Sequence, residues 1–273
     1  MRLSSPSPSS LLPASRALWL GLAALGLGAA LWAHGPIAQW ADYHAFADQR
    51  AWLGVPNAAN VLSNLSFLAV GAWALWRLST AGTTSPSIRA WRLFGAALVG
   101  TAVGSSVYHW APSNATLVFD RLPIAWACAA LLCAFLAERV SARWCSLRAL
   151  GAALAVATLS VAVWWASDGA GQGDLRLYLY VQFLPMLLVP LGLWLRLPMT
   201  ATSATPANAW WTVLACYALA KLMEMADHAV FGAIAAVSGH TLKHLLAAAG
   251  AALLLRAVVR ARQAGAVSSG SRR

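Results

Sequence analysis

The residues of this chain best suited to chemistry stand at the head of its last apolar stretch, in Ser238-Gly239-His240-Thr241-Leu242-Lys243-His244. Two histidines four apart on a helix lie one above the other and can share a ligand. Imidazoles inside an apolar segment are costly, so they face a cavity, a partner or a metal. A third histidine, His109, closes an earlier apolar stretch, and Asp120 opens the next. Three histidine nitrogens suit zinc, which commonly takes three protein ligands and leaves a fourth position for water. Zinc lowers the pKa of that water to about 7 and polarises a carbonyl oxygen. Asp120 could take the proton and pass it to a leaving group. Ser105, one helical turn before His109, could hold the water or a developing oxyanion.

Plainer readings compete at each position. A lone histidine in an apolar helix is more often hydrogen-bonded to a neighbour than bound to metal. Asp120 could form an interfacial ion pair with Arg121, and serine is common wherever membrane helices touch. Lys221, Glu224 and Asp227, spaced i, i+3 and i+6, read as an internal charge network that holds their helix. His34, His44 and His228 read as interfacial and uninvolved.

A scaffold must bring these groups together, and composition says what kind. Of the 273 residues 60% are hydrophobic and only 10% charged, against about a quarter charged in a soluble domain. Runs long enough to cross a bilayer recur at 17–34, 57–79, 89–110, 117–137, 146–166, 175–196, 208–228 and 239–260. The expected fold is all-α, a polytopic transmembrane helical bundle of eight spans, or seven if 17–34 is a cleaved signal. An uncleaved anchor is the preferred reading, because the run is long for a signal peptide and the cleavage site is weak. Residues 1–16 read as a disordered basic leader and 35–56 as an outer loop. Residues 57–260 form one seven-helix domain, and 261–273 a disordered basic tail.

The net charge of +11 does not point to nucleic acid, because the Arg residues gather at segment ends and in short loops. Fourteen of the nineteen Arg and Lys fall on one side of the predicted topology. Arg50, Arg121, Arg176, Lys221 and Lys243 fall on the other. This positive-inside bias predicts a multi-pass plasma (inner) membrane protein with a cytoplasmic C-terminus. The histidines, Asp120, Ser105 and the polar run from Asn57 to Asn64 then share one outer, periplasmic level. The four cysteines show no CxxC pairing, so neither a disulfide framework nor a cysteine metal site is expected.

At Gly104-Ser105-Ser106-Val107-Tyr108-His109, Asp120-Arg121-Leu122-Pro123 and His240-Thr241-Leu242-Lys243-His244, the chain resembles the alkaline ceramidases. These belong to a superfamily of seven-helix membrane hydrolases that includes the adiponectin receptors. The family pattern is a Ser four before a His, an Asp eleven after it, and a HxxxH pair in the last helix. Asn60-Val61-Leu62-Ser63-Asn64-Leu65 resembles the Asn-x-x-Ser-Asn motif that opens the family's first helix. The likeness covers roughly residues 57–260. It implies that His109, His240 and His244 ligate zinc, that Asp120 is the acid/base, and that Ser105 positions water and oxyanion. It implies hydrolysis of the ceramide amide to a sphingoid base and a fatty acid, with a lipid substrate drawn from the bilayer.

Two features depart from the family. Segment 17–34 is additional to the seven helices. Asn57 stands about where the eukaryotic enzymes resemble one another in carrying a Glu of an acidic calcium loop, and the loop here offers only Asp42 and Asp48, so calcium regulation is not expected. The leading expectation is a zinc-dependent hydrolase of ceramide or a related lipid amide. A lipid receptor or binding protein with structural zinc is the alternative. A metal or proton transporter is third, since the inner halves of the segments are almost wholly apolar.

Overall fold

The computed structural model describes residues 8–79, 85, 87–200 and 205–270. Apolar residues on every face of a segment leave no water to satisfy the backbone, so the chain satisfies it within helices. In order these are α1 (Pro8–His34), α2 (Ala58–Ser63), α3 (Leu65–Ser79), α4 (Ile88–Trp110), α5 (Asn114–Arg139), α6 (Leu147–Gly169), α7 (Arg176–Trp194), α8 (Ala207–Met225), α9 (Asp227–Ile234) and α10 (Gly239–Gly270). A short 3₁₀ turn, Ala142–Cys145, links α5 to α6. Outside helices and loops, the described residues hold only an isolated bridge between Trp52 and Val55.

Among the described residues, six helices are long and apolar enough to cross a membrane: Ser15–His34, Ala58–Ser79, Asn114–Arg139, Leu147–Gly169, Arg176–Trp194 and Gly239–Gln263. The eight expected spans include two more, α4 and α8, which match the others in length. Those two carry Arg89, Arg92, His109, Lys221 and Glu224, and the polar load sets them apart.

Several boundaries differ from expectation. The expected disordered leader, 1–16, contains the start of α1, and the expected tail, 261–273, is helical to Gly270. Helix growth is cooperative, so residues next to a stable span join it at little cost. The rest of those two stretches, 1–7 and 271–273, lies outside the described residues. The stretch 208–228 is not one helix: α8 stops at Met225 and α9 starts at Asp227.

Packing places α4 between α3 and α5, and α10 against α8 and α3. At α5 a reciprocal cap fixes the helix start, with the Thr116 amide donating to the Ser113 hydroxyl at 3.2 Å and the Ser113 amide to the Thr116 hydroxyl at 3.1 Å. Two glycines allow the approaches on which the site depends. A Cβ on Gly104 would lie 1.9 Å from the Phe119 carbonyl oxygen, so only glycine lets α4 and α5 cross beside Ser105 and Asp120. A Cβ on Gly239 would lie 2.1 Å from the Met223 carbonyl oxygen, where α10 begins against the end of α8.

Candidate metal centre

His109 comes from the end of α4, and His240 and His244 from the first turns of α10. All three are buried, and one ligand atom from each lies within 4.8 Å of the others. His109 Nε2 and His240 Nε2 are 3.3 Å apart. Two nitrogens bound to one tetrahedral zinc at about 2.0–2.1 Å are separated by about 3.3 Å, so the spacing fits a shared zinc ion. The cluster could hold a metal ion, and its donor set is consistent with zinc without identifying it.

The third imidazole is oriented from behind. The Ser63 hydroxyl donates to the Asn60 carbonyl at 3.0 Å and sits 2.8 Å from His244 Nδ1. With its own proton committed, the hydroxyl accepts from Nδ1–H, which leaves Nε2 as the free ligand atom of His244. Asn57, in the left-handed conformation that Asn tolerates (φ 46°), donates its amide to the His109 carbonyl at 2.8 Å. Thr241 donates to Asn60 Oδ1 at 2.8 Å, tying α10 to α2. The Phe46 ring closes the cluster, with centroids 4.7 Å from His109 and 4.6 Å from His240.

Asp120 is buried on α5, within hydrogen-bonding reach of Ser105. It makes no ion pair with Arg121, whose guanidinium turns instead to Gln39 and stacks on Trp164. The expected charge network is also rearranged. Lys221 and Lys243 both pair with Glu224, whereas Asp227 serves the backbone: its carboxylate accepts from His240 N at 2.7 Å and Ala47 N at 2.9 Å. The break after Met225 turns Asp227 off the face of Lys221 and Glu224 and toward the open amides that begin α10.

Ser105, Asp120, His240 and His244 open onto one cavity of about 590 Å³. Its lining changes along the bundle. Near the histidines it carries Gln39, Tyr43, Asp120, Arg121, Glu224 and Lys243; toward the other end it is formed by Phe94, Leu98, Leu131, Trp210, Val213 and Ala251. The loop before α2 roofs the polar end, and two of its ties involve Asp–Arg pairs. Asp174 accepts from the Ile37 amide at 3.3 Å, and Arg50 reaches the carbonyls of Ala235 and Ala236 at 3.0 Å while gripping Asp48 with two bonds of 2.8 Å. Side-chain hydrogen bonds from Arg50 and Arg176 hold Asp48 and Asp174 below the usual carboxylate range.

The other histidines have separate roles. His44 bridges the Tyr108 hydroxyl at 2.8 Å and Asn114 Oδ1 at 2.9 Å, and His228 lies 2.9 Å from the Ala45 carbonyl. His34 is exposed at the end of α1. Ser63, Phe46 and Arg121 were not assigned to the site by sequence reasoning. Ser63 and Arg121 carry a signal in the sequence, their places in the Asn-x-x-Ser-Asn and Asp120-Arg121-Leu122-Pro123 runs, and Phe46 carries none. Compared with known proteins, the chain matches no family model and no curated protein.

Proposed function

We propose that the protein is an integral-membrane, zinc-dependent hydrolase that cleaves the amide of ceramide or a related lipid amide. The observation that carries this reading is a buried three-histidine cluster beside an aspartate and a serine, opening onto a cavity with one polar and one apolar end. A closed structural zinc site has four protein ligands. Among the described residues the cluster supplies three, and Asp120 lines the same cavity outside the cluster, which favours an enzyme over a receptor with structural zinc.

Zinc held by His109, His240 and His244 would supply Lewis acidity toward the amide carbonyl and would acidify a water. The chain's own groups do the rest. Ser63 keeps His244 in the tautomer that offers Nε2. Asp120 takes the proton of the attacking water and returns it to the amine nitrogen as the C–N bond breaks, so the hydroxyl ends on the acyl carbon. Ser105, one turn before His109 and lining the same cavity as Asp120, steadies the water or the developing oxyanion. The apolar end of the cavity takes the acyl chain, and the aromatic roof excludes bulk water. The apolar runs support a seven-helix core from residue 57 onward, and the charge bias supports a site toward the outer face with the C-terminus inside.

The test uses purified protein in detergent. About one zinc per chain is expected in the wild type, lost in His240→Ala. Lipid-amide turnover should fall by at least about a thousandfold in His240→Ala and Asp120→Asn. Full turnover in both folded variants would refute the reading.

A further inference from the structure

Arg121 is 3% exposed, yet the described residues place no carboxylate within ion-pairing distance of it. Its Nη2 donates to Gln39 Oε1. Nε, with one N–H, and Nη1, with two, have no acceptor. The guanidinium lies over two aromatic rings, its central carbon 4.0 Å from the Trp164 ring centroid and 4.9 Å from that of Tyr178. A buried guanidinium without an anion is costly, and stacking offsets only part of the penalty.

The other charges at that end of the cavity do not pair with it. Glu224 serves both Lys221 and Lys243, Asp227 holds backbone amides, and Asp42 and Asp120 line the cavity without an ion pair to Arg121. Arg121 is the cation with donors to spare, it lines the same cavity as the histidines, and it follows Asp120 directly in α5. A planar fork rigidly held by aromatic stacking suits a carboxylate or phosphate taken by two parallel hydrogen bonds.

We infer that Arg121 binds an anionic group on the amine side of the substrate, so that the enzyme acts on acidic lipid amides, fatty acyl amides whose amine carries a carboxylate or phosphate. This assignment rests on the hydrolase reading above for its placement of the amide. The acyl chain occupies the apolar end, the scissile bond lies by the histidines, and the acidic head group meets Arg121 under the loop. Gln39 fixes the guanidinium from the roof side, which makes it a positioning residue.

The probes are N-palmitoylglycine, neutral N-palmitoylethanolamine and palmitate. Binding is measured by calorimetry in an Asp120→Asn background, and KM in zinc-loaded wild type. N-palmitoylglycine should bind at least about tenfold more tightly than the neutral amide. Arg121→Gln should remove that preference and leave the neutral amide within about twofold, while Arg121→Lys keeps part of it. Equal affinity for the two amides, or an equal wild-type KM, overturns the site even if Arg121→Gln does not fold. Palmitate bound as tightly as N-palmitoylglycine overturns the head-group assignment, because the anion would then be the acyl carboxylate. An Arg121-dependent preference with no hydrolysis of either amide sinks the hydrolase reading and leaves the anion site standing. Hydrolysis of both amides with no preference does the reverse.

Discussion

At the scale of single residues, the cluster depends on groups that never touch the reacting bond. Ser63 is the clearest. Its hydroxyl donates to the Asn60 carbonyl and so must accept from His244 Nδ1, 2.8 Å away. Removing such a partner typically weakens metal binding by about 10–100-fold. Ser63→Ala should therefore keep the fold and the three histidines yet lose zinc to a competing chelator in that range; unchanged affinity would show that His244 needs no orientation from α2. The three histidines of the cluster were legible in the sequence, because imidazoles are costly and rare in apolar helices. Their supports were not. Ser63 lies 181 positions from His244, and nothing in one chain's spacing announces that contact. Asp227 shows the opposite failure. Its spacing from Glu224 suggested one helix face, and a break of one residue sent it to the amides of His240 and Ala47 instead.

At the scale of elements, helix positions follow from long apolar runs, whereas the stretch 35–57 carries no periodic signal and reads only as a loop. In the structure it is the roof of the cavity, contributing Ile37, Tyr43 and Phe46. Among its several ties are two Asp–Arg pairs, Asp174–Arg176 beside Ile37 and Asp48–Arg50 against the turn after α9. Hydrogen bonds from Arg50 depress the pKa of Asp48 in the folded state. A depressed native carboxylate stabilises the fold above its unfolded pKa of about 3.9, and that contribution is lost as pH falls through the lower native value. The roof should thus resist limited proteolysis equally from about pH 5 to 8 and become cleavable below about pH 4. Asp48→Asn should loosen it already at neutral pH and shrink the acid step. An identical step in the variant would place the acid-sensitive tether elsewhere.

At the scale of the whole molecule, the cavity is polar at one end and apolar at the other because neighbouring helices run in opposite directions. The chain brings the late part of α4 and α8 and the early part of α5 and α10 to the same end, and these parts carry His109, Lys221, Glu224, Asp120, Arg121, His240, Lys243 and His244. That convergence could be worked out from span order alone. The empty volume could not, since it depends on how Phe94, Leu131, Trp210 and Val213 stop short of one another across three helices. Ala251 is the probe of that volume. It lines the apolar end, is almost fully buried, and stands seven residues after His244, about 10 Å deeper along the same face of α10. A phenyl ring there occupies space the acyl chain needs while leaving the histidines, Asp120 and Arg121 untouched. Ala251→Phe should bind zinc as the wild type does, lose turnover of sixteen-carbon amides by at least about tenfold, and retain turnover of eight-carbon amides. An unchanged chain-length profile would mean that the acyl chain leaves the bundle sideways into the bilayer, and the apolar end of the cavity would then need another occupant.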